Sequence, residues 1–129
     1  MSFPFEQTKY LCVSSCLFGV SSLVLYSLHE HTLSFLLGVL CLTSINHWRK
    51  YVENGFRQRI DIAWVILCGV YIGWKTIFMN ELKQYLILTL LLSSIFFYAI
   101  SMKGGSYWVV FHASLHLYLS FFVPLLYIL

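Results

Sequence analysis

The chain has 129 residues, of which 60% are hydrophobic and only 10% are charged, and its mean hydropathy is +0.80. A water-soluble domain of this size exposes too much surface for so few charges, and a net charge of +3 is too small for a nucleic-acid-binding protein. The apolar runs are continuous rather than alternating, which excludes a β-barrel and predicts an all-α integral membrane bundle.

Five apolar runs are long enough, or nearly so, for transmembrane helices, which need about 20 residues. They cover about residues 10–28, 33–47, 60–78, 85–101 and 107–129. Because little of the chain lies outside these runs, we expect a single transmembrane helical domain over residues 1–129. We expect neither an attached soluble domain nor a removable signal peptide.

The basic residues are divided unevenly between the two ends of such a five-helix bundle. The side of the N-terminus has six, which are Lys9, Arg49, Lys50, Arg57, Arg59 and Lys103. The other side has two, Lys75 and Lys83. Since loops rich in lysine and arginine stay in the cytoplasm, the sequence predicts a cytoplasmic N-terminus. The C-terminus then lies outside the cell or in a lumen.

Small residues spaced four apart favour close helix packing. Ser15 and Gly19 form such a pair in the first run, and Gly69 and Gly73 form another in the third. The second pair fits either a homo-oligomer or a contact with another helix of the same chain, and the sequence leaves both open. Between the first two runs, residues 29–31 read His-Glu-His, which we expect to be an exposed polar turn.

The fifth run contains two histidines four residues apart, His112 and His116. On a helix they share one face. A polar side chain is costly in hydrocarbon and marks a functional site, so this pair is the first candidate for one.

The predicted topology brings further polar residues to the same depth. His47 ends the second run and Asp61 opens the third, both on the cytoplasmic side, where the fifth run also begins. Thr43 and Ser44 precede His47 by about one helical turn. His31 is excluded, because sixteen residues at 1.5 Å each put it about 24 Å from His47.

Three imidazoles are the ligand set of many catalytic zinc sites, in which the fourth position is open to water. The sequence therefore predicts zinc held by His47, His112 and His116. Asp61 would act as general base on the water, and Thr43 or Ser44 would donate a hydrogen bond nearby.

Each of these residues also has an ordinary explanation. His47 can be an interfacial residue beside Trp48, and Asp61 can be a helix N-cap. The histidine pair can be a hydrogen-bonded contact between helices, and the two hydroxyls can be packing groups.

At these residues the sequence resembles the CREST superfamily of membrane hydrolases, which includes alkaline ceramidases, progestin and adiponectin receptors and GPI-anchor remodelling proteins. The family pattern is a serine four residues before a histidine, an aspartate opening the next span, and HxxxH in the last span. His47, Asp61 and residues 112–116 match it. Thr43 stands at the serine position with Ser44 beside it, and either hydroxyl can take that role. The family usually has seven spans, and this chain has about five.

The resemblance implies a zinc-dependent intramembrane hydrolase acting on a lipid amide or ester, with a ceramide-like amide as the first candidate substrate. Two alternatives remain at this stage. One is a non-enzymatic receptor-like or structural zinc protein, and the other is a membrane protein that binds haem between two histidines.

Overall fold

The computed structural model of the protein describes residues 5–50, 52, 55–102 and 108–128. In this part the chain forms five α-helices and no strands, which confirms the all-α prediction. The helices are α1 (Phe5–Ser27), α2 (His31–Trp48), α3 (Phe56–Thr76), α4 (Glu81–Met102) and α5 (Trp108–Ile128). Lys103 and the two end residues of the fifth predicted run, Tyr107 and Leu129, lie outside the described residues.

Three of these helices are long and apolar enough to cross a membrane, which indicates a membrane protein. Among the described residues, the qualifying segments lie in α1, α4 and α5. The polar residues of α2 and α3 lower the hydropathy of those two helices. The last turns of α2 include Asn46 and His47, and the first turns of α3 include two arginines and Asp61.

The helices pack as a ring in which each contacts its neighbours in the chain. α1 packs along both α2 and α5, α2 packs on α3, and α5 packs on α4, while α3 and α4 touch over a short stretch only. The core includes Leu25, Leu33, Leu40, Ile87 and Val123, each nearly inaccessible. Many large apolar side chains face outwards, as expected of a protein whose solvent is lipid.

Close packing of α1 against α2 depends on small residues. A Cβ atom added at Gly19 would lie 3.3 Å from Cys41 Sγ, so the packing role predicted for Gly19 is confirmed. Beyond it, Ser22 Oγ donates to the Ser34 carbonyl at 2.5 Å, and Ser34 Oγ donates to the Ser22 carbonyl at 2.7 Å. This exchange satisfies both hydroxyls inside an apolar contact.

The glycine pair of α3 behaves differently. A Cβ atom added at Gly69 or Gly73 would meet nothing within 4 Å in the described part of the chain. The pair therefore makes no close contact with another described helix. Of the two uses left open by the sequence, the homo-oligomer stays a prediction.

In the turn after α1, His29 and His31 are exposed, as predicted, and Glu30 is half-buried. His29 has a φ of 63°, and the Glu30 N–H bonds the Leu25 carbonyl while the His29 N–H bonds the Tyr26 carbonyl. This pair of bonds is a Schellman motif with His29 in the left-handed position usually taken by glycine. The exposed histidines of this turn lie at the end of the bundle away from His47.

Proline inside a helix removes one backbone hydrogen bond. Pro124 lies within α5, yet the helix continues to Ile128. The Ser120 carbonyl, which would otherwise accept from residue 124, accepts a hydrogen bond from Ser21 Oγ of α1. The neighbouring helix thus satisfies the carbonyl that the proline leaves without a partner in its own helix.

Candidate functional site

The Asp61 carboxylate connects α3 to α2. It is buried, with 8% of its surface exposed, and its Oδ1 accepts hydrogen bonds from Ser44 Oγ at 2.8 Å and Thr43 Oγ1 at 3.0 Å. Both hydroxyls that the sequence offers for the serine role therefore contact the same oxygen. Hydrogen bonds of this kind stabilise an ionised carboxylate and fix its orientation.

Asp61 is not the N-cap of α3. Gly55 is the N-cap of α3 and makes no side-chain cap hydrogen bond. Asp61 lies more than one turn inside the helix. The N-cap explanation for this acid is therefore wrong. A buried carboxylate that is held by two hydroxyls requires another explanation, for which a proton-transfer role is a candidate.

His116 of α5 is held by two serines of α1. Its Nδ1 lies 2.8 Å from Ser14 Oγ and 3.5 Å from Ser15 Oγ. Both hydroxyls also lie within hydrogen-bond distance of the Leu11 carbonyl, at 3.1 and 2.6 Å. Because a serine has a single hydroxyl hydrogen, a serine that donates to Leu11 accepts from His116, which would then carry its proton on Nδ1.

A proton on Nδ1 would determine what the other ring nitrogen of His116 can offer. A neutral imidazole protonated on Nδ1 has its lone pair on Nε2. Histidines that bind metals usually donate their second N–H to a fixed acceptor in this way. The contacts of His116 with Ser14 and Ser15 therefore suit a metal ligand or a hydrogen-bond acceptor.

The remaining histidines lie around Trp48. The ring centroid of His112 is 5.0 Å from that of His116, 4.9 Å from that of Trp48 and 6.1 Å from that of Tyr98. The ring centroid of His47 is 4.3 Å from that of Trp48, and His47 lies close enough to His112 for electrostatic interaction. The side chains of His47 and His112 thus lie at the same end of the bundle.

The structure brings the predicted residues together in two groups. One is the Asp61 group, made of Asp61 with Thr43 and Ser44, and the other is the histidine pair of α5. His47 and His112 both pack against the ring of Trp48. Within residues 5–50, 52, 55–102 and 108–128, no three His, Cys, Asp or Glu side chains are arranged to hold a metal ion. The donor types suit zinc, whereas the three imidazoles do not form one ligand sphere.

Sequence reasoning missed Ser14 as a partner of His116, and it treated Ser15 as a packing residue and Trp48 as interfacial. A signal was present, because a pair of serines in the first run lies at about the depth predicted for the histidines. Which face of α1 meets α5 decides whether those serines reach the site. The arrangement of the helices in the bundle determines which face of α1 meets α5, and the sequence of the first apolar run alone does not.

A cavity opens beside His47 at this end of the bundle. Its volume is about 170 Å³, and it is lined by His47, Val52, Gly55, Phe56 and Arg57. The otherwise buried His47 therefore borders an open cavity.

Replacing Ser14 and Ser15 together with alanine is expected to weaken zinc binding by about 10- to 100-fold, the usual cost of removing the partner of a metal-binding histidine. The reason is that the His116 ring would lose the two hydroxyls that contact its Nδ1. Competition of the purified protein with a chromophoric zinc chelator measures this affinity. The matched control is Ser27→Ala, a serine of the same helix that bonds its own backbone at the other end. Equal affinities of the double variant and the wild type would contradict the positioning role.

Comparison with known proteins adds no relative: no family model, curated protein or solved structure matches this chain.

Proposed function

We propose that the protein is a zinc-dependent intramembrane hydrolase that cleaves an amide or ester bond of a lipid. The observation that carries this proposal is the Asp61 group at the same end of the bundle as the buried histidine pair. Polar groups are expensive in hydrocarbon. A buried acid and two buried imidazoles at one level are therefore better explained by chemistry than by packing.

The proposal includes a topology in which all five helices cross the membrane and the N-terminus is cytoplasmic. Its support is that α2 and α3 pack into the same bundle as the three strongly apolar helices. Their polar residues, Ser44, His47 and Asp61, are buried inside it. The excess of lysine and arginine at the His47 end supports the orientation.

His47, His112 and His116 would hold the metal after their rings turn towards a common point, which they do not share in this structure. When bound, zinc supplies a Lewis acid that polarises a carbonyl and allows water to act as a nucleophile near neutral pH. Asp61 accepts the proton of the attacking water and passes it to the leaving nitrogen or oxygen. Ser44 and Thr43 keep the receiving carboxylate oxygen in place while the proton moves.

The substrate class follows from the surroundings of the site. The outer faces of the helices are apolar and contact lipid, so the most accessible molecules with amide or ester carbonyls are membrane lipids. A ceramide-like amide is the first substrate to test, because the motif residues resemble those of alkaline ceramidases.

The test is metal analysis and lipid turnover with the purified protein. We expect about one zinc per chain, and release of fatty acid from a lipid amide or ester in vesicles, lost on chelation and restored by added zinc. A Soret band in the visible spectrum would favour the haem alternative instead. Bound zinc without turnover of any lipid would favour the receptor-like or structural alternative.

A further inference from the structure

The cavity beside His47 has a mostly apolar lining, and Arg57 is the charged residue among its described lining. Its volume of about 170 Å³ is more than ten times the roughly 10–15 Å³ of such space that one water needs, so it admits a group of several heavy atoms. His47 and Arg57 supply its polar lining, while Val52, Gly55 and Phe56 supply the rest. The cavity therefore suits a compact polar group that is attached to an apolar molecule.

Arg57 is held in position by the chain itself. One of its terminal nitrogens donates to the Lys50 carbonyl at 3.0 Å. This acceptor is neutral, so the contact orients the guanidinium without cancelling its charge. A guanidinium has five N–H donors in a planar fork, and a fixed fork binds the oxygens of an oxyanion two at a time.

The surroundings of Arg57 favour a negative ligand. Arg57 lies close enough to His47 for electrostatic interaction. α3 begins at the cavity, and no acidic residue lies in its first turn. The positive end of that helix therefore adds to the charge of the guanidinium.

The depth of these residues matches the structure of a membrane lipid. Arg57 lies in the first turn of α3 and His47 in the last turn of α2, whereas Asp61 lies about one turn farther along α3 and His112 and His116 lie inside α5. In a bilayer the phosphate of a lipid lies in the polar interface, and its ester or amide carbonyl lies just below, towards the hydrocarbon. A lipid whose phosphate contacts Arg57 would thus direct its carbonyl past His47 towards Asp61.

We propose that this cavity binds the phosphate of a lipid headgroup through Arg57, so that the lipid acted on is a phospholipid or phosphosphingolipid rather than an unmodified ceramide. The binding site stands on the cavity and on Arg57. Only the role of the lipid as a substrate rests on the proposed function.

The experiment measures binding without turnover. The purified protein is titrated with a dialkyl ether glycerophosphate or with the dialkylglycerol of the same chains, and bound lipid is detected by native mass spectrometry. The ether lipid has no carboxylic ester or amide bond to cleave. Arg57→Gln is compared with Arg59→Gln, an exposed arginine two residues away that does not line the cavity. Inorganic phosphate is added as a competitor.

Loss of a charge-assisted hydrogen-bond pair is expected to weaken the phosphate lipid about tenfold in Arg57→Gln. Arg59→Gln should change it less than about twofold, as for an exposed charge. The dialkylglycerol should bind both variants as it binds the wild type, and inorganic phosphate should not displace the lipid. Equal losses in both variants, equal affinity for the two lipids, or displacement by inorganic phosphate would each overturn the proposal.

If Arg57→Gln does not fold, Arg57→Lys preserves the charge and removes the fork, and we expect the phosphate lipid to bind about threefold more weakly. Wild-type affinity in that variant would overturn the proposal.

The phosphate-site proposal and the hydrolase proposal fail separately. Binding as expected without turnover of any lipid would overturn the hydrolase and leave the phosphate site, whereas turnover of lipids without any dependence on Arg57 would do the reverse.

Discussion

Asp61→Asn is expected to leave about one zinc per chain while lowering lipid hydrolysis by about 100- to 10,000-fold, the usual contribution of a positioned general base. Asparagine has nearly the same shape, and its Oδ1 can still accept hydrogen bonds from Ser44 and Thr43. It cannot take a proton from water. Metal analysis and fatty-acid release are measured on the same preparation, so that a loss of activity is separated from a loss of metal.

The matched control for this variant is Glu30→Gln, the same chemical change at the other end of the bundle. It should leave both metal content and turnover at the wild-type level. Turnover by Asp61→Asn within tenfold of the wild type would remove the acid from the mechanism. Loss of zinc along with activity would instead make Asp61 a metal ligand, as a closed structural site requires.

His112→Ala and His116→Ala are each expected to remove most of the zinc. Loss of a metal-bound histidine should exceed the roughly 10- to 100-fold cost of losing only its partner. Zinc content is measured after gel filtration of the purified variants. His29→Ala and His31→Ala are the controls, because these histidines lie in the exposed turn far from the pair.

Zinc retained at wild-type levels by both α5 variants would show that the ligand assignment is wrong. Zinc retained by one variant only would reduce the ligand set to one histidine of the pair. The same preparations give the melting temperature of each variant. A variant that loses zinc but keeps the melting temperature of the metal-free wild type has lost a ligand rather than its fold.

The helices could be predicted from the apolar runs, but their ends could not. α3 begins at Phe56, before the polar residues from Arg57 to Arg59, because arginine and glutamine are good helix formers. α4 begins at Glu81, four residues before the predicted span. Asn80 caps it there, since its Oδ1 accepts a hydrogen bond from the Lys83 N–H at 2.9 Å. Spans indicate where apolar residues lie, whereas helix ends depend on hydrogen bonding outside the span.

The grouping of the candidate site could be predicted in part. The predicted order of the spans put Asp61, His47 and the histidine pair at one end of the bundle. The contacts of His47 and His112 with Trp48, and those of Asp61 with Thr43 and Ser44 one turn before His47, agree with this. The partners of these residues depend on which helices are neighbours. Because α1 lies between α2 and α5, Ser14 and Ser15 reach His116. The residue pattern within α1 does not predict this contact.

X-ray absorption at the zinc edge of the purified wild-type protein identifies the ligands of the metal. We expect three imidazole nitrogens at about 2.0–2.1 Å together with an oxygen ligand and no sulfur. Sulfur ligands at about 2.3 Å, or a zinc spectrum unchanged when His112 and His116 are both replaced with alanine, would contradict this ligand assignment.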